Sequence, residues 1–184
     1  MIAVFILLGI LVVVALWFLA TYNGLVRLRN QVKNAWSQID VQLKRRHDLI
    51  PNLIETVKGY AAHERGTFDA VTQARAAAMK AQGPAQAAQA EGLLGSALSK
   101  FFAIAENYPE LKANQNFLAL QEELASTENK ISFARQFYND QVQGFNTRIE
   151  QVPTNIVASV GGFKSAEFFQ VEAPAEREAP QVKF

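Results

Sequence analysis

The chain has 184 residues, 49% of them apolar, with 18 basic and 17 acidic side chains and a formal net charge of +1. That balance excludes the basic field a nucleic-acid binder needs, and the absence of cysteine excludes disulfides, thiol catalysis and cysteine–zinc sites. The length fits one domain with a short extension.

Residues 2–20, IAVFILLGILVVVALWFLA, carry no charge. As a helix this stretch reaches roughly 28 Å, close to the hydrocarbon thickness of a bilayer. Trp17 and Tyr22 stand where an interfacial aromatic belt would form. A cleaved signal peptide begins with a basic region and has a shorter apolar run; only Met1 precedes this one, so the expectation is a retained, single-pass anchor. Arg27, Arg29, Lys33, Lys44, Arg45 and Arg46 all follow the span. By the positive-inside rule the body then faces the cytoplasm.

Beyond the span, Leu25, Leu28, Val32, Trp36, Ile39, Leu43, Arg46, Ile50, Ile54, Val57 and Ala61 step by three and four. The spacing predicts a helix from the membrane to about residue 81, continuous with the anchor and kinked at Pro51. Inside it lies KRRHDLIPNLIE, residues 44–55, a dense polar cluster on a stretch that otherwise seeks burial. Residues 74–105 are alanine-rich. Gly83-Pro84 splits them into the end of one helix and the start of another. Low apolar content before Leu93 predicts a marginal, exposed start to the second helix, and Asn107-Tyr108-Pro109 closes it. Phe117, Leu120, Leu124, Ile131, Tyr138, Val142, Phe145, Ile149 and Val152 share one face of a long helix over about 114–151, ended by Pro153. A short segment, TNIVASVGGF, follows.

No strand-rich region appears. The fold class is all-α: an N-terminal transmembrane helix over 1–21, a long antiparallel, coiled-coil-like bundle of three to four long helices over 22–163, and an extended or irregular tail over 164–184. One faint internal echo exists: Tyr22-Asn23-x-x-Val26-x-x-x-Asn30 against Tyr138-Asn139-x-x-Val142-x-x-x-Asn146. It is too short for a repeat architecture.

The chemistry-bearing residues do not assemble into a known motif. His63-Glu64 begins like a zinc-protease helix, but the second histidine would fall on Thr67. There is no nucleophile elbow and no Gly-rich phosphate loop. The expectation is therefore no catalytic, cofactor-binding or metal-binding residue, no cofactor, and no small-molecule substrate. The informative residues are polar ones inside apolar stripes. Arg46 lies between Leu43 and Ile50, and Thr127 lies between Leu124 and Ile131, with Glu128 and Arg135 at the border. Buried charge is costly unless paired. Arg46, Asp48, Glu123, Thr127, Glu128 and Arg135 are thus expected to form a structural polar network, with Arg46 paired first to Glu128 and second to Glu123. Lys44 and Arg45 are expected to turn outward, available to lipid headgroups or a partner.

The blocks YNGLVRLRNQVKNAWSQIDVQLKRRHDLIPNLIETVKGYAAHE (22–64) and YPELKANQNFLALQEELASTENKISFARQFYNDQVQGFNTRIEQVP (108–153) resemble the LemA family, and the closing FFQVEAPAEREAPQVKF is similar to that family's tail. The resemblance covers essentially the whole chain. It implies a bacterial membrane protein with an N-terminal transmembrane helix and an antiparallel helical bundle, and it carries no catalytic residues. It also implies two roles: organisation of membranes, as for a magnetosome protein of related sequence, and service beside membrane metalloproteases of the HtpX type. Two functions are accordingly expected: a non-enzymatic anchored scaffold that associates with itself and with membrane lipid, or an adaptor for a membrane protease.

Overall fold

In the computed structural model, residues 1–61 and 63–170 are described. Among them every regular element is helical: α1 (Ile2–Lys58), α2 (Arg65–Lys80), α3 (Gly83–Ala105), α4 (Pro109–Lys112), α5 (Gln115–Glu150) and α6 (Thr154–Val160). The all-α expectation holds, with four longer helices and two short ones. The span and the amphipathic stretch after it are one uninterrupted helix, which continues through Pro51. It stops at Lys58, some twenty residues before the expected end. Gly59 has poor helix propensity, and a turn follows in which the Tyr60 and Ala61 amides both bond the Val57 carbonyl. Ala61 is still buried, so the apolar spacing persists past the point where the backbone leaves the helix.

The chain falls into two compact units, and α1 and α5 each contribute to both. The first unit comprises Met1–Gln38 and Gln136–Glu167. Its core takes Leu25, Val32 and Ala35 from α1, Tyr138, Val142, Phe145 and Ile149 from α5, and Val157, Ala158 and Phe163 from α6 and the turn behind it. Trp36 meets Tyr138 with ring centroids 5.6 Å apart, whereas Tyr22 meets Phe163, which in turn packs on Phe145. The early part of α1 thus lies beside the late part of α5, as antiparallel packing requires. The large side chains from Ile2 to Leu16 stay outside this core and are exposed.

Residues 163–167 have no regular structure, yet they are held in place. The Ala166 amide donates to Asn146 Oδ1 at 2.8 Å, and Asn146 Nδ2 donates back to the Ala166 carbonyl at 3.0 Å. The Tyr138 hydroxyl donates to the Glu167 carbonyl at 2.7 Å. Tyr138 and Asn146 belong to the echo noted in the sequence, where they pin a strap. Of the expected tail, 171–184 lies outside the described residues.

Burial, and secondarily the Glu167 carboxylate, pushes the Tyr138 phenol from its ordinary value of 10.0 up to about 12. A raised phenol pKa means the folded state resists ionisation. The contribution is whole below pH 10 and is lost as pH rises from 10 through 12. We expect thermal melts to show stability falling over that window. Tyr138→Phe should flatten the alkaline loss while costing about 1 kcal/mol at neutral pH for the missing hydrogen bond.

The second unit comprises Ile39–Arg135 and, among the described residues after it, 168–170. Its core gathers Ile50, Leu53, Ile54 and Val57 of α1, Phe68, Val71 and Ala78 of α2, Leu94, Leu98 and Phe101 of α3, Leu111 of α4, and Phe117 and Leu124 of α5. Two linking residues, Ala81 and Gln82, turn the chain from α2 into α3, and Gly83 takes φ +76°, which favours glycine there. The early turns of α3 are not the exposed start predicted from their composition. Ala87, Ala88 and Glu91 are buried while Leu93 is exposed. Alanine is small enough to let a neighbouring helix approach closely, so low apolar volume here marks tight packing rather than solvent.

Candidate functional site

The polar cluster of α1 lies wholly within the second unit. Helical spacing divides it: Arg46 and His47 are buried, whereas Lys44, Arg45 and Asp48 are exposed. Arg46 Nη1 lies 3.2 Å from Glu91 Oε2 and 3.2 Å from Glu128 Oε2. His47 Nε2 lies 2.6 Å from the other Glu91 oxygen, Oε1. The imidazole donates in this contact when its Nε2 carries the proton, the donor and acceptor roles following the tautomer. The side chains of Arg46, His47 and Glu91 are 9%, 8% and 5% exposed, so this is a charge cluster inside the core. Glu128 approaches from the solvent side, with its side chain 55% exposed.

Arg75 of α2 completes the site. Its Nε donates to the backbone carbonyl of His47 at 2.7 Å. In an α-helix that carbonyl would accept the amide of the fourth residue on, which here is Pro51 and has no N–H. The guanidinium of one helix therefore supplies the donor that proline removes from another. The kink-prone position is tolerated because its orphaned acceptor is satisfied, and Ile50, Leu53 and Ile54 stay buried around it.

The other expected members of the network are arranged differently. Glu123 bonds Arg45 rather than Arg46: Arg45 Nη2 and Nε donate to Glu123 Oε1 at 2.7 and 3.2 Å. Both side chains are largely exposed, at 51% and 40%, so Arg45 points outward yet is engaged by its own chain. Thr127 is buried, but its hydroxyl donates to the Glu123 carbonyl of its own helix at 2.8 Å and takes no part in the ionic cluster. Arg135 is half-buried, and among the described residues no ion pair reaches it or Asp48. Sequence reasoning missed Glu91, His47 and Arg75. A signal for the first was present: Glu91 is the only charged residue between Lys80 and Lys100. It shares a helix face with Ala87, Ala88 and Leu94, all buried.

This arrangement locks side chains from four helices against one another. Each oxygen of Glu91 faces one donor, and Arg46 is shared between a buried and an exposed carboxylate. Such a set fixes helix register more than it adds net stability. Among the described residues no group of three His, Cys, Asp or Glu side chains is placed to hold a metal ion.

Comparison with known proteins gives this site its context. The profile of the LemA family matches residues 35–184, which include every residue of the cluster. The chain is similar to magnetosome protein MamQ 2 of Paramagnetospirillum magneticum, at 28% identity over 188 residues, covering 86% of this chain and 69% of the relative. It is similar to magnetosome protein MamQ of Magnetospirillum gryphiswaldense at 26% identity over 183 residues, covering 85% and 67%. Protein LemA of Metamycoplasma hominis is 28% identical over 153 residues, covering 80% of this chain and 68% of its own. None of these names denotes an enzymatic activity.

Proposed function

The chain belongs to the LemA family, and from that premise we propose that this membrane-associated helical protein is a non-enzymatic scaffold, held by a single N-terminal span, that self-associates and organises membrane assemblies. The observation that carries the reading is the first stretch of α1. It has a mean hydropathy of 3.2 and is long and apolar enough to cross a membrane, and none of its most apolar window is buried within the chain. Apolar surface of that extent needs a non-aqueous environment.

The charged cluster supports a structural role, since its groups neutralise one another in the core. The body faces the cytoplasm in this reading. The orienting charge rests chiefly on Arg27, Arg29 and Lys33, exposed and nearest the span, because Arg45 and Arg46 are engaged by carboxylates. Ala78, Ala87 and Ala88 of the alanine-rich segment are covered within the chain, so self-association in this reading draws on exposed apolar side chains of the second unit such as Val41, Leu93 and Phe133.

Mass measurement of the full chain in mild detergent tests this. We expect a homogeneous homo-oligomer that persists on dilution. A strict monomer, or a monomer that co-purifies with a membrane protease, overturns the scaffold reading, and the second outcome makes the chain an adaptor.

A further inference from the structure

The first unit carries an apolar surface that its own packing leaves uncovered. Helix α6 buries Thr154, Val157 and Ala158 on one side. On the other side Ile156 is 59% exposed and Val160 73% exposed, and Val152, just before the helix, is 81% exposed. Between Gln151 and Phe163 the sequence has no charged residue at all. A helix that is apolar on both sides is unusual in water unless something covers the second side.

The position of α6 says what covers it. The turn that ends the helix lies against Tyr22. A Cβ built on Gly161 would sit 3.0 Å from Tyr22 Cε2, and the Phe163 ring packs on the Tyr22 ring with centroids 5.5 Å apart. Tyr22 is two residues beyond the apolar run of 2–20, about 3 Å further along the helix axis. Phe18, still inside the run, is partly covered rather than fully exposed. The C-terminal end of α6 therefore lies at the level where the span leaves the hydrocarbon, within the headgroup layer of about 5–8 Å on each side of a bilayer. Arg29 stands over the Phe163 ring at 5.1 Å, which places a cation on the water side of the same aromatic pair.

Resting on the membrane-anchored reading above, we propose that α6 is a second membrane contact: a short interfacial foot whose Ile156 and Val160 side chains enter the bilayer that the span of the same chain crosses. The partner is the lipid surface itself, met by apolar side chains at the headgroup–acyl boundary. The foot fixes how the first unit stands on the membrane, since the span and α6 give two points of attachment instead of one.

The chain has no cysteine, so single-cysteine variants carry a unique label. Nitroxide is attached at Ile156→Cys and, separately, Val160→Cys in the full chain, reconstituted in phosphatidylethanolamine–phosphatidylglycerol nanodiscs. Accessibility to oxygen, which concentrates in lipid, is compared with accessibility to a water-soluble nickel complex. Leu11→Cys serves as the lipid reference and Gln143→Cys, exposed on α5, as the water reference. We expect both α6 sites to show an oxygen-to-nickel ratio several-fold above that of Gln143 and to lose nickel accessibility when nanodiscs replace detergent. Water-like ratios at both α6 sites with a lipid-like ratio at Leu11 overturn the foot and leave the anchor standing. A water-like ratio at Leu11 overturns the anchor itself. Spin–spin broadening at Ile156 or Val160 that vanishes on dilution with unlabelled chain means that a second copy covers the surface, which also overturns the lipid contact.

Discussion

Arg46→Ala should lower the thermal midpoint sharply, whereas Arg45→Ala, one residue away, should leave it nearly unchanged. The two arginines differ in burial and not in having a partner. Arg46 is buried beside Glu91, whose side chain is only 5% exposed, and its removal leaves that carboxylate with His47 as its remaining partner. Breaking a buried ion pair by deleting one member costs about 3–5 kcal/mol, because the surviving charge stays desolvated. Arg45 makes the shorter contact, 2.7 Å to Glu123, but both groups are open to water, and exposed pairs of this kind contribute about 0–1 kcal/mol. Thermal or denaturant melts of both variants measure the difference. Equal effects would mean that solvent reaches Arg46 and that the cluster is a surface patch.

The second large effect concerns Arg75. Arg75→Ala leaves the His47 carbonyl with no donor from either source, since Pro51 has none to offer. A hydrogen bond from a charged donor contributes about 1.5–3 kcal/mol, and we expect a loss of that size. The distinguishing measurement is a double-mutant cycle with Pro51→Ala. Alanine at position 51 restores the backbone N–H four residues on from His47, so the carbonyl can be satisfied within α1. Arg75→Ala should then cost clearly less in the Pro51→Ala background than in the native one. A cost that is the same in both backgrounds would show that Arg75 acts through its packing and not through that bond.

The sequence was most legible where one rule decides. The uncharged run, the apolar face of α5, the break at Gly83-Pro84 and the burial of Arg46 all follow from spacing and composition alone. The end of α1 at Lys58 was hidden because Val57 and Ala61 keep the helical spacing while the backbone turns away at Gly59. Glu91 was hidden for a different reason. Alanine-rich segments look weakly amphipathic by residue hydrophobicity, yet Ala87 and Ala88 are buried by close helix approach, a geometric property that hydrophobicity does not encode. The donor from Arg75 answers a demand that Pro51 makes visible in the sequence, but only the fold identifies which side chain meets it. Thr127 was placed correctly inside but counted in the polar network, whereas its hydroxyl bonds the carbonyl four residues back on its own helix, as a helical threonine readily does.

The α2–α3 hairpin also bears on the order in which the second unit assembles. Its two helices are joined by two residues, so their mutual contacts are local and inexpensive to form. Their meeting surface is uneven: Phe68 of α2 packs on Phe101 of α3 with ring centroids 5.9 Å apart, whereas Ala78, Ala87 and Ala88 lie toward the turn, where a small buried side chain contributes little apolar area. The hairpin can therefore form early, with its open end better held by apolar burial than its turn. The polar contacts fall nearer the weaker end: Glu91 of α3 reaches Arg46 and His47, and Arg75 of α2 reaches the His47 carbonyl. Both anchoring points sit on a single turn of α1, which acts as a clasp on the part of the pair that apolar burial holds least.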